Sequence, residues 1–233
     1  MDNIEAENGS QTEGSAEQTE GSTEQAQDVD YSQSGGLSGR LVQLNCSVAI
    51  SSYQSGFLYN LGCDPKGGLH LHQAAMAKPM GLSYDGNGGL TMAGGSALVQ
   101  FKNVLAEGEQ INNTFDACFM PRHTYFTGGL DAHDIGIGTN GAPVFVNTRF
   151  NCLATVSEVH SFQEIWRPSF IDALISEERC HLNGMAMINA EPAYVTAVSK
   201  SNTIDGWRDR RDGGGVVIDV SRNEVVCEGL SMP

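Results

Sequence analysis

The chain has no run of about 18 apolar residues, so no segment reads as a membrane-spanning helix. It has no surplus of Lys and Arg: 13 basic residues stand against 28 acidic ones, a formal charge of −15. Without a basic excess little can neutralise phosphates, which argues against a nucleic-acid binder. The start lacks a basic region, an apolar stretch and a cleavage pattern, so export is not expected and the expected location is the cytoplasm. The six cysteines (Cys46, Cys63, Cys118, Cys152, Cys180, Cys227) include no CxxC pair. They read as buried, reduced thiols acting as small hydrophobes, not as a disulfide framework. Asn112-Asn113-Thr114 matches a glycosylation sequon, but a cytoplasmic chain never meets that machinery. Phosphate-loop, HExxH and GxSxG signatures are all missing. Asp85-Gly-Asn-Gly-Gly89 lacks the third oxygen ligand and the later Glu of a calcium loop, so it reads as a hairpin turn.

Residues 1–39 hold nine acids and no Lys or Arg, and contain the tandem repeat QTEGSAE–QTEGSTE at 11–24. The repeat has no apolar seam, so a coiled coil is excluded. A disordered acidic tail over 1–39 is the expectation, followed by a body over 40–233.

What the body does have is Gly, 28 in the whole chain, and short apolar runs that stop at turn residues. Val48–Ile50, Phe57–Leu61 and the alternating Gly68–His72 read as strands. Gly81–Tyr84 and Leu90–Ala93 flank the Asp85 turn, and Asn140-Gly141 joins Ile135–Ile137 to Val144–Val146. Val216–Val220 and Glu224–Cys227 form another hairpin across Ser221–Asn223. Only the stretch around Ser169–Ile175 has helical spacing, enough for a short helix inside a loop.

A longer period runs through these hairpins. Gly81, Asp134 and Gly184 open similar units roughly fifty residues apart, and a fourth opening falls at Glu228–Pro233. Repeated antiparallel units of that length point to an all-β fold, a β-propeller of stacked blades. A β-sandwich is the competing reading. The body holds about four such units, and the stop at the opening of a unit leads us to expect part of a longer, six-bladed ring.

Several blocks, in order, carry a family resemblance: PMGLSYDG (79–86), YFTGGLDAHDIGI (125–137), FVNTRFNCLATVSEVHSF (145–162), WRPSFIDALISEERCHLNGMA (166–186), DGWRDRRDGGGVVIDV (205–220) and GLSMP (229–233). They resemble a bacterial family of conserved hypothetical proteins, domain of unknown function 4915, from about residue 45 onward. In that family strands continue beyond GLSMP, which implies C-terminal truncation here. More distantly the chain is similar to six-bladed propellers of the senescence-marker, gluconolactonase and strictosidine-synthase kind, which use a central metal or pocket. The LNG run at 182–184 is similar to the PNG run of lactonase-type propellers, which implies Asn183 as a ligand. Leu182 replaces that Pro, and no ligating Glu is found near the chain start.

In a propeller, residues opening the innermost strands cluster at one mouth of the central channel. That brings together Met80, His133, Asp134 and Asn183, with Asp131, Arg179 and His181 leading in. Asp134 and Asn183 are the candidate ligands for Ca²⁺ or Zn²⁺, and His133 or His181 the candidate general base. The same polar pairs also serve structurally, tying strands together, and Asn183-Gly184 fits a tight turn. Arg210 and Arg211, beside Trp207, fit an anion-gripping loop or a self-paired charge run. His70 and His72 share one strand face, with Leu69 and Leu71 expected buried behind them, and His123 and His160 read as packing residues. The function expected is a binding module for a small molecule or protein loop at the channel mouth, through His133, Asp134, Asn183, Arg210 and Arg211. A metal-dependent hydrolase of lactonase or esterase type is the alternative.

Overall fold

A computed structural model describes residues 31–64 and 66–233. The acidic repeat at 11–24 lies outside the described residues. One helix comes first, α1 (Leu37–Leu44), closed by Asn45 in the left-handed conformation, whose N–H reaches back to the Val42 carbonyl. Its sequence, with a single buried residue, Leu41, gives no clear periodic signal.

Among the described residues fifteen strands follow: β1 (Val48–Ser52), β2 (Phe57–Cys63), β3 (Leu69–Ala75), β4 (Pro79–Tyr84), β5 (Gly89–Gly94), β6 (Ala97–Asn103), β7 (Phe119–Phe126), β8 (Ala132–Ile137), β9 (Pro143–Asn147), β10 (Cys152–Thr155), β11 (Gln163–Trp166), β12 (Leu182–Ile188), β13 (Glu191–Ala197), β14 (Gly215–Asp219) and β15 (Glu224–Leu230). They form four antiparallel sheets, β1-β2-β3, β4-β5-β6-β7, β8-β9-β10-β11 and β12-β13-β14-β15, each running in chain order. The first strands of successive sheets pack on one another, β1 on β4, β4 on β8, β8 on β12. Sheets that share their first-strand edge in this way are blades of a β-propeller.

The core lies between blades. Leu58 meets Leu90, Met92 and Phe101 between the first and second sheets. Ala93 and Leu98 meet Ala132, Ile135, Phe145 and Ala154 between the second and third. Val146 and Leu153 meet Leu182, Val195, Val216 and Ile218 between the third and fourth. Sandwiched blades are therefore buried on both faces, and β9 is buried at all five positions. This is why β9 reads as a continuous apolar run rather than an alternating one.

The fifty-residue period has a structural cause. In β4, β8 and β12 the pairing slips at the same place: Met80-Gly81, His133-Asp134 and Asn183-Gly184 each oppose one residue of the next strand. Each pair is a β-bulge, which re-aims its side chains out of the sheet's alternation. Two residues before each pair the chain turns through a left-handed, non-glycine residue: Lys78, Asp131 and His181. Met232 has the same conformation. The fourth opening is thus at Met232-Pro233, because Glu228–Leu230 belong to β15 and pair with β14.

Three further expectations are corrected. Residues 169–175 make a turn, not a helix; Pro168 precedes it and its chain is pulled to Asn223 and Asn202 by side-chain bonds. Of the cysteines, all free, only Cys152 and Cys180 are buried, since Cys46 and Cys227 sit on outer surfaces. His123 and His160 are exposed rather than packed, and so is Leu71. Among the described residues no helix is long and apolar enough to cross a membrane.

Candidate functional site

The bulged strand openings place most of the candidate residues, but they do not form one cluster. His133 and His181 do come together: their rings meet edge to face with centroids 4.9 Å apart. His181 in turn lies 4.2 Å from the ring of Trp207, which the loop before β14 supplies. The Trp207 ring carries the guanidinium of Arg208 at 4.5 Å and that of Arg211 at 4.9 Å, both within cation–π reach. Trp207 is buried and His181 is nearly so, while Arg208 and Arg211 are exposed.

Hydrogen bonds fix how both imidazoles present themselves. The Thr148 hydroxyl donates to the Leu182 carbonyl at 2.7 Å, so its oxygen accepts from His133 Nδ1, also at 2.7 Å. The same Nδ1–H donates to the Asp131 carbonyl at 2.8 Å. His133 therefore holds its proton on Nδ1 and keeps the lone pair on Nε2. Burial lowers its pKa below the ordinary value, and the neighbouring His181 lowers it further, against the opposing Asp131 carbonyl bond. His181 donates Nδ1–H to the Glu178 carboxylate. In the neutral ring its Nε2 likewise carries the lone pair.

Asp134 works differently. One carboxylate oxygen accepts the N–H of Ile135 at 2.8 Å and the other that of Met185 at 2.7 Å, on the neighbouring sheet. Burial raises its pKa, with the two N–H bonds opposing. Both oxygens serve the backbone, the structural use weighed for this residue. Asn183 donates to the Pro233 carbonyl at 2.7 Å, shared with the Thr196 hydroxyl at 3.2 Å. Among the described residues no group of three or more His, Cys, Asp or Glu is placed to hold a metal ion.

The remaining candidates are distributed. Met80 gives its carbonyl to the Ser51 hydroxyl of the first sheet, and Asp131 pairs with Lys78 of the second. Arg179 is buried and bonded to Asp172, Glu177 and Asn202, a structural anchor. Arg210 donates to the Gly206 carbonyl and lines a cleft that none of His133, His181 and Trp207 lines. His70 faces Asp64 at 3.5 Å and the ring of Phe115, whereas His72 is exposed.

Sequence reasoning missed Glu178, Thr148 and Asn151. Asn151, fully buried and left-handed, accepts the N–H of Arg179 at 2.8 Å and of Cys180 at 3.1 Å, holding the segment that leads into His181. The one available signal was the Asn147-Thr-Arg-Phe-Asn151 run, in which polar residues interrupt an apolar strand pair.

Fold and site together define a β-propeller-type domain with a histidine–tryptophan–arginine cluster at the openings of its third and fourth blades. The chain belongs to the family described as domain of unknown function (DUF4915), whose model matches residues 36–233. Among solved structures it is similar to a catalytically inactive virginiamycin B lyase from Staphylococcus aureus, determined with quinupristin, at 12% identity and a TM-score of 0.41. That alignment covers 80% of this chain and 52% of the lyase. A protein from Lactobacillus plantarum is similar at 17% identity and a TM-score of 0.43, covering 80% of this chain and 53% of that one. The chain thus spans about half the length of both. Comparison with curated proteins finds no match.

Proposed function

We propose that this domain is a binding module that takes a small molecule or a protein loop at the openings of its third and fourth blades. The observation that carries the reading is the convergence of His133, His181 and Trp207, from three separate segments, beneath two guanidiniums. Tryptophan and arginine are the residues that most often dominate recognition surfaces. Here the indole is already fixed, so binding need not order it. The free thiols of all six cysteines support a reducing, cytoplasmic setting.

Trp207 is one of two tryptophans, so a Trp166→Phe variant leaves it as the only indole reporter. Titrating that variant with small carboxylates and acidic peptides, and following its emission, tests the reading. A ligand of this surface loses about tenfold or more in affinity on His181→Ala or Arg211→Ala. Binders that ignore both substitutions overturn it.

One observation favours the hydrolase alternative: the Glu178–His181 pair, with the His133 lone pair beside it, has the arrangement of an orienting carboxylate and a general base. The metal half of that reading has less support, because the Asp134 oxygens already accept backbone N–H bonds.

A further inference from the structure

The turn that carries Trp207 has a second side. Between the loop after β13 and the outer end of β15 lies an open cleft of about 710 Å³. Its wall is formed by Lys200, Ser201, Thr203, Arg210, Gly214 and Glu228, with buried Val216 at its base. The volume falls in the range of small-molecule sites, about 300–1,000 Å³.

Charge in this cleft runs against the rest of the molecule. The chain as a whole is at −15, yet the cleft is lined by two cations and one carboxylate. Lys200 is paired with Glu228 at 2.7 Å, on the exposed rim. Arg210 has no carboxylate partner among the described residues; one N–H goes to the Gly206 carbonyl. A guanidinium has five donors, so the others remain to meet an oxyanion in a forked geometry. The Gly206 bond orients the head group.

The glycine run beside it keeps the wall bare. A Cβ on Gly214 would sit 2.2 Å from the Arg210 carbonyl oxygen, and Gly213 is left-handed at φ 71°. Any side chain at 214 would displace the Arg210 backbone. The Ser201 and Thr203 hydroxyls bond to each other at 3.2 Å and stiffen this wall, with Thr203 exposed at its edge, while Val216 offers an apolar floor.

We propose that this cleft is a second binding site, separate from the His133–His181–Trp207 surface, for a small hydroxylated molecule bearing a carboxylate or phosphate gripped by Arg210. Three probes that share a hexose ring and differ only in charge test it: glucose, glucuronate and glucose 6-phosphate. Calorimetric titration of the 233-residue chain is expected to show binding of one or both anionic sugars and none of glucose. Comparing the two anions tells carboxylate from phosphate. Arg210→Gln weakens binding about tenfold or more, the loss of a charge-assisted pair, and Lys102→Gln, an exposed change on the second sheet, leaves it unchanged. Glu228→Gln, an exposed change on β15, tightens binding by removing a like charge and releasing Lys200. Glucose binding as well as its charged analogues, no binding by either anion, or equal affinity in Arg210→Gln and the parent chain overturns the assignment. So does weaker binding in Glu228→Gln, and that variant decides the matter if Arg210→Gln fails to fold.

Discussion

Asp134 Oδ2 accepts the backbone N–H of Met185 at 2.7 Å, so a carboxylate in the bulge of one blade fastens the first strand of the next, just past its bulge. Its other oxygen holds Ile135 of its own strand. Asp134→Ala leaves both donors without their partner, at a cost of about 1–3 kcal/mol for each one that stays buried. Asp134→Asn keeps one acceptor and costs less. The pH dependence separates charge from geometry. Burial raises the folded pKa above 3.8, so the folded chain holds this proton more tightly than the unfolded chain does. That contribution to stability is full below 3.8 and is lost as pH rises through the folded value. Asp134→Asn lacks the titration, so its deficit relative to the parent shrinks as pH rises through that window. Denaturant melts across acid pH check this.

The propeller was legible because bulges, glycine turns and left-handed openings recur on one period, and each needs particular residue types. Gly81 shows the constraint: a Cβ there would lie 2.8 Å from the Asp134 backbone. The site was legible in its parts rather than its grouping. His133 and His181 occupy corresponding openings, which the period can align. Whether Trp207 joins them depends on the path of its loop, which has no fixed length within the repeat. Asp134 and Asn183 share the period too, but their polar atoms turn to backbone groups, and no spacing rule encodes that direction. The helix Leu37–Leu44 left no periodic mark because it buries a single residue.

Gly81→Ala is the simplest test of blade spacing. The added methyl meets backbone rather than a movable side chain, so the first strands of the second and third blades must separate. A loss of about 1–3 kcal/mol is expected, against little change for Ala at Gly35, where nothing lies within 4 Å. Thermal melts of the two variants give the comparison.

His133 should titrate below 6.5 and hold its neutral-state proton on Nδ1. The folded pKa is depressed, so the unfolded chain takes up this proton first on acidification. The stability it contributes is present above 6.5 and is lost as pH falls toward the folded value. Nitrogen-15 NMR of the imidazoles reads the tautomer directly, and His133→Gln is expected to lessen acid sensitivity in that window.

Asn151→Ala removes the acceptor for both Arg179 and Cys180 N–H groups, in a site with no exposure to water. A loss of about 2 kcal/mol or more is expected. Because the segment it holds leads to His181, ligand binding at the histidine–tryptophan surface should weaken in the fraction that still folds. Melting curves and the Trp207 titration check the two parts.

Metal content separates the two functional readings. A binding module predicts equal content in the parent chain, Asp134→Ala and Asn183→Ala, measured by elemental analysis after dialysis. Metal lost from both variants favours the hydrolase.

The convergence of side chains some fifty residues apart in sequence is tested most directly by proton NMR of histidine- and tryptophan-labelled protein. With ring centroids at 4.9 and 4.2 Å, cross-relaxation is predicted from the His133 imidazole to that of His181, and from His181 to the Trp207 indole. A spectrum with all three rings assigned and neither contact present contradicts the account.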